Sequence, residues 1–175
     1  MAKKIILGIA GFVLGFFLVF FILNIGGNGV FNSLFGSSFE NAKDKTFSKA
    51  GMSIVLTEKF TEKEQAAYTS AYDSERVAVF TLKEEFTLQE GLGDLSLNQY
   101  AQLVIEANKL DAETKKEGDL TYFQYTKQAN GKDNNYYAYV YKSADAFWLI
   151  QFACESKYNE TTTELFIKWA KSVKV

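Results

Sequence analysis

The stretch "AFWLIQFACES" near the end of the chain limits the fold more than any other. In an extended strand successive side chains point to opposite faces. Trp148, Ile150, Phe152 and Cys154 then lie on one face, and Phe147, Leu149 and Ala153 lie on the other beside Gln151. Both faces are apolar. Such a strand belongs in the middle of a sheet that is covered on both sides, so a sheet with one wet face is excluded. "RVAVFTLKEEF" carries β-branched and aromatic residues on both parities and predicts a second doubly covered strand. "LTYFQYTKQ" runs to Asn130-Gly131, a hairpin signal within a polar turn reaching Asn135, and "YYAYVYKS" follows. Ala144-Asp145 makes the tight link into the doubly apolar strand.

Two helices supply the cover. In "SLNQYAQLVIEANKL", Ser96 and Gln99 match a capping box, and Leu97, Tyr100, Ala101 and Val104 form one stripe. In "TTTELFIKWAKSVKV", Thr161 and Glu164 match a second capping box. Leu165, Phe166, Trp169, Ala170 and Val173 make its apolar stripe, and Lys168, Lys171 and Lys174 sit toward the end that attracts cations. Upstream, "FSKAGMSIVLTEKF" reads as two short strands about Gly51, and Asp73-Ser74 marks a turn after Tyr68 to Tyr72. The fold class expected is α+β: an antiparallel β-sheet with helices on both faces, an α-β-α sandwich.

The chain opens with "KKIILGIAGFVLGFFLVFFILNIGG". Ile5 to Leu23 carries no charge and, as a helix, covers ~28 Å, close to the hydrocarbon thickness of a bilayer. The run is longer than a signal-peptide core and lacks an A-x-A cleavage site, so a retained signal-anchor is expected. Lys3 and Lys4 precede it, and the next cation is Lys43, which places the N-terminus in the cytoplasm and the domain outside. The expected organisation is a cytoplasmic end at 1–4, a transmembrane helix at 5–25, a flexible Gly/Asn/Ser linker at 26–45, and an extracytoplasmic domain at 46–175. The protein is then a single-pass protein of the cell membrane. Gly8, Gly11 and Gly15 lie on the anchor, and Gly11 to Gly15 is a GxxxG match. It would let two anchors pack as a weak homodimer, although glycine is common in membrane helices anyway.

Composition removes several function classes. There is no histidine, so the commonest general base and metal ligand are missing. Cys154 is the only cysteine, so neither an internal disulfide nor a thiolate zinc cage can form. Arg76 is the only arginine and the net charge is −2, which argues against nucleic acid. No cofactor and no metal are expected.

"FSKAGMSIVLTEKF", "SLNQYAQLVIEANKL" and "AFWLIQFACES…FIKWAKSVKV" together resemble the PsbP-like fold, from about Phe47 to Val175. Its members include an extrinsic subunit of photosystem II and an import factor that binds the Ran GTPase. Thr57 departs from the pattern, in which a proline often follows the apolar strand. The resemblance implies an α-β-α sandwich and, by analogy, a role in docking to other proteins. It transfers no site residue.

Several residues are candidates for chemistry. Cys154, beside Phe152 and without a histidine, reads as a buried structural thiol. Glu84-Glu85 would point to opposite faces of a strand and cannot share a proton; with Asp73 and Glu75 they read as a solvated face. "NGKDNN" offers oxygen ligands without calcium-loop spacing and reads as a hairpin turn. Asn159-Glu160-Thr161 matches a glycosylation acceptor, with Thr161 already engaged as a cap. Tyr122, Tyr125, Tyr136, Tyr137, Tyr139 and Tyr141 come from two adjacent strands, and Tyr137, Tyr139 and Tyr141 share a parity. The alternatives for that row are cross-strand packing beneath a helix and an exposed partner or ligand surface. The functional expectation is a non-catalytic, membrane-anchored accessory domain docking to another envelope protein. The alternatives are a small-molecule or glycan-binding envelope sensor and, with less support, a carboxylate-dependent envelope hydrolase.

Overall fold

The structure is a computed structural model and describes residues 39, 41–129 and 131–175. The expected anchor at 5–25, its glycines Gly8, Gly11 and Gly15, and the linker apart from residues 39 and 41–45 lie outside the described residues. Asp44 and Lys45, expected in the linker, belong instead to the first strand, because they pair with the strand that follows. Among the described residues no helix is long and apolar enough to cross a membrane.

A hairpin comes first: β1 (Asp44–Lys49) pairs antiparallel with β2 (Met52–Thr57). Its turn is Ala50-Gly51, both at positive φ (53° and 95°), a geometry glycine adopts freely and which matches strand twist. Next come β3 (Thr61–Lys63), β4 (Ser70–Asp73), β5 (Val77–Glu85) and α1 (Leu97–Ala107). The chain continues with β6 (Lys115–Glu117), β7 (Leu120–Ala129), β8 (Lys132–Lys142), β9 (Ala146–Glu155) and α2 (Asn159–Lys171). β3 to β9 form one antiparallel sheet in the order β3-β4-β5-β9-β8-β7-β6.

β9 lies at the centre and all ten of its residues are buried, as two apolar faces demand. α1 covers one face, with Tyr100, Ala101 and Val104 over Phe123, Phe147 and Leu149. α2 covers the other, with Phe166 and Trp169 over Phe152. The β1–β2 hairpin does not join the main sheet. It lies in the α2 layer, where Met52, Ile54 and Leu56 complete the core. Ser172 Oγ accepts from the Val55 N–H (2.9 Å), and Ser53 and Lys174 exchange backbone hydrogen bonds (2.9 Å each). Phe39 is buried there too, stacked on Phe60 and edge-on to Trp169.

Two local expectations need correction, and two short strands carried no signal in the sequence. α1 has its full capping box at Ser96 and Gln99, but α2 does not begin at Thr161. A 3-10 turn at Ser156–Tyr158 starts the coil early, so Thr161 already sits in the first turn and its hydroxyl donates to the Tyr158 carbonyl (2.9 Å). The turn after β7 does not reach Asn135. Ala129 already pairs with Lys132, and Thr126 with Asn135, because Gly131 (φ 73°) lets the chain reverse tightly and the polar residues belong to a solvated strand end. β3 and β6 carry no apolar signal (Thr61-Glu62-Lys63 and Lys115-Lys116-Glu117). They are short, charged edges, which discourage pairing with other chains.

Candidate functional site

The tyrosine row is packing, not surface. Tyr137 and Tyr139 are buried and Tyr141 is half-buried, because α2 lies across them. The Tyr137 hydroxyl donates to Asn159 Oδ1 (2.8 Å), and the Tyr141 hydroxyl donates to the Ala170 carbonyl (2.8 Å). Tyr139 stacks against Tyr122 and meets Phe152 edge-on. Burial raises the phenol pKa values of Tyr139 and Tyr141 well above the usual tyrosine range. The row thus ties α2 to β8, and of its three members Tyr137 also lines an open place on the sheet.

The other reactive groups are placed as follows. Cys154 is fully buried beside Thr162 Oγ1 (3.4 Å), and burial pushes its thiol pKa up. Glu84 and Glu85 do point to opposite faces, but Glu84 is not on a solvated one. It is 8% exposed beneath α1 and accepts a hydrogen bond from the Tyr100 hydroxyl. Tyr100 in turn stacks on Phe147, with 4.2 Å between ring centroids. Burial raises the Glu84 carboxyl pKa, against the lowering effect of the Tyr100 bond. Strand parity puts Phe80, Leu82 and Glu84 on one face, and α1 over that face makes it dry. Asp73 is half-buried and burial raises its pKa as well. Glu75 lies apart from it, with Lys59, Ser74 and Phe39 around a small hollow of about 240 Å³. Among the described residues no cluster of three or more acidic, cysteine or histidine side chains could hold a metal ion.

An open concave place lies beside α2. α2 crosses β8, β9 and β2; on the same face of β7 Leu120 is buried and Tyr122 half-buried, while Gln124 and Thr126 are exposed. Gln124 and Thr126 on β7 stand opposite Tyr137 and Asn135 on β8. With Asn159 at the start of α2 and Asp111 in the loop after α1, they line a trough of about 450 Å³. That volume suits a small ligand. Three of its side chains are amides. Asn135 Oδ1 accepts from Thr126 Oγ1 (2.8 Å) and Ser156 Oγ (3.2 Å), and Asn159 Oδ1 accepts from Tyr137. Both carbonyl oxygens are therefore used internally, which leaves the NH2 ends as donors. Two strand positions before Gln124 comes Tyr122, half-buried, its ring fixed on Tyr139 (5.2 Å, 24°). The sequence carried no motif for this trough, since its residues come from two strands, a helix start and a distant loop.

No protein-family model and no curated protein matches the chain. Solved structures do. Cyanobacterial PsbP (CyanoP) from Synechocystis sp. PCC 6803 superposes with a TM-score of 0.50 at 12% identity, over 86% of this chain and 99% of its own. The fold is PsbP-like. The PsbP-like arrangement thus sits on a sequence only 12% identical to that neighbour. LpqN of Mycobacterium tuberculosis, described as involved in cell envelope biogenesis, superposes with a TM-score of 0.47 at 12% identity, over 77% of this chain and 91% of its own.

Proposed function

We propose that the chain is a membrane-tethered, extracytoplasmic, non-catalytic accessory domain that binds through the β7–β8 trough. The supporting observation is how the polar side chains are used. Cys154, Glu84, Tyr139 and Tyr141 are consumed inside the fold, while the trough, which Tyr137 also lines, keeps amide groups and a carboxylate open to solvent. The apolar, uncharged run from Ile5 to Leu23, preceded by Lys3 and Lys4, supports the tether and its orientation. Docking to an envelope protein through the tyrosine row loses its surface, since α2 occupies it. Binding of a small ligand or glycan, the alternative reading of the sequence, has a site of suitable size.

Cysteine labelling of the full chain in its own membrane tests both parts. Cys154 is buried, so background labelling will be low. Gln124→Cys in the trough and Glu90→Cys on a remote exposed loop are treated with a membrane-impermeant maleimide on intact, wall-permeable cells. Both label if the domain is outside. Labelling only after lysis rejects the topology. A resident ligand protects position 124 relative to position 90 in cells, and purification removes the protection. Equal rates at the two positions in cells reject the trough as the occupied site.

A further inference from the structure

We propose that the trough selects a neutral, hydroxyl-rich ligand, a saccharide chain; this rests on the trough being the binding site. The argument is one of matching donors and acceptors. Asn135 and Asn159 each present an NH2 group whose carbonyl partner oxygen is already engaged, so they donate. Gln124 is exposed and offers both a donor and an acceptor. Asp111 brings a carboxylate, the one full charge among the described lining residues at neutral pH. An anion meets that carboxylate with no lining cation to offset it. An ammonium cation pairs with Asp111 but carries only donors, which leaves the amide donors facing donors. A hydroxyl both donates and accepts at each position, so a polyol satisfies amides and carboxylate together. Tyr122 continues the same strand face beyond Gln124, at the ~7 Å spacing of alternate strand residues. Its half-buried ring is stacked on Tyr139 beside the lining residues rather than among them, so a saccharide chain that extends past Gln124 meets a rigid aromatic neighbour. The internal bonds of Asn135 and Asn159 fix the donors before the ligand arrives, so little side-chain ordering remains to oppose binding.

Calorimetric titration of the full chain in nanodiscs provides the test. The probes are maltotetraose and chitotetraose as neutral saccharides, tetragalacturonate as an acidic one, and tetra-alanine as a peptide with alternating donors and acceptors. A neutral saccharide is expected to bind, at up to about 10 mM for a weak single site. Gln124→Ala weakens it about fivefold, the loss of one hydrogen bond, with an unchanged melting temperature because Gln124 is exposed and makes no side-chain hydrogen bond among the described residues. Tetragalacturonate binds more weakly than the neutral chains, and Asp111→Asn narrows that difference. The proposal is overturned if neither neutral saccharide binds, if tetra-alanine binds as well as they do, or if Gln124→Ala has no effect. Those results leave the trough reading standing wherever position 124 is still protected in cells, so the two failures are distinguishable.

Discussion

Glu84 shows how one residue can be read correctly in direction and wrongly in environment. Strand parity sets it opposite to Glu85, but only the position of α1 decides that its side is dry. Burial raises its carboxyl pKa, so the folded chain holds that proton more tightly than the unfolded chain does. The contribution to stability is then present at low pH. It falls as pH rises from the ordinary carboxylate range through the raised folded value. Glu84→Gln keeps an acceptor for Tyr100 and removes the ionisation. Urea unfolding is expected to show the variant more stable than the parent at pH 7 and equal to it below about pH 4, where both forms of the site are neutral. A variant less stable at pH 7 would mean that the charge on Glu84 is needed. Tyr141 makes a simpler case. Its hydroxyl donates to the Ala170 carbonyl near the end of α2, where carbonyls lack helical partners. Tyr141→Phe leaves that group half-satisfied, and a loss of ~1 kcal/mol in the same unfolding experiment is expected.

At the scale of elements, the loop between β5 and α1 shows what a long cation can do. Lys142, at the end of β8, donates from Nζ to the Gly93 carbonyl (2.6 Å) and the Leu95 carbonyl (2.9 Å). The same ammonium lies over the rings of Phe86 (5.5 Å) and Phe147 (5.2 Å). One side chain thus holds the entry to α1 against the sheet, next to the Ser96 cap. Lys142→Met keeps the stem and removes the donors. Hydrogen exchange across residues 86–95 should quicken about tenfold, with the β9 amides unchanged, since the loop opens locally rather than with the core. Uniform acceleration would place Lys142 in the global unfolding unit instead. Elements with strong periodicity were legible in the sequence: β9 from its two apolar faces, α1 from its stripe and its capping box. β3 and β6 were not, because a three-residue charged edge is held by its neighbour's backbone and needs no apolar side chain of its own. The start of α2 was misread by two residues because Thr161 and Glu164 have cap spacing, and the preceding 3-10 turn leaves no local signature.

The whole molecule is assembled from pairings that are distant in sequence. β5 lies against β9, and α1, β6, β7 and β8 all fall between them along the chain. β2 closes on the last residues through Ser53 and Lys174. Those loops must close before their contacts gain anything, so refolding from urea is expected on a millisecond-to-second scale. Microsecond refolding in stopped-flow or temperature-jump measurements would show that local structure dominates instead. The sequence by itself determined the α+β class, the central place of β9, the two covering helices and the absence of histidine chemistry. Each of these follows from the period of apolar residues or from composition, which no packing can alter. The tertiary structure alone decided which tyrosines are covered, that Glu84 is dry, that the first hairpin joins the α2 layer, and that a polar trough remains beside α2. A row of shared parity shows which residues face together, but not what lies over them. The length of α2 and its crossing over β8 and β9 settle that, leaving Gln124 and Thr126 of β7 exposed.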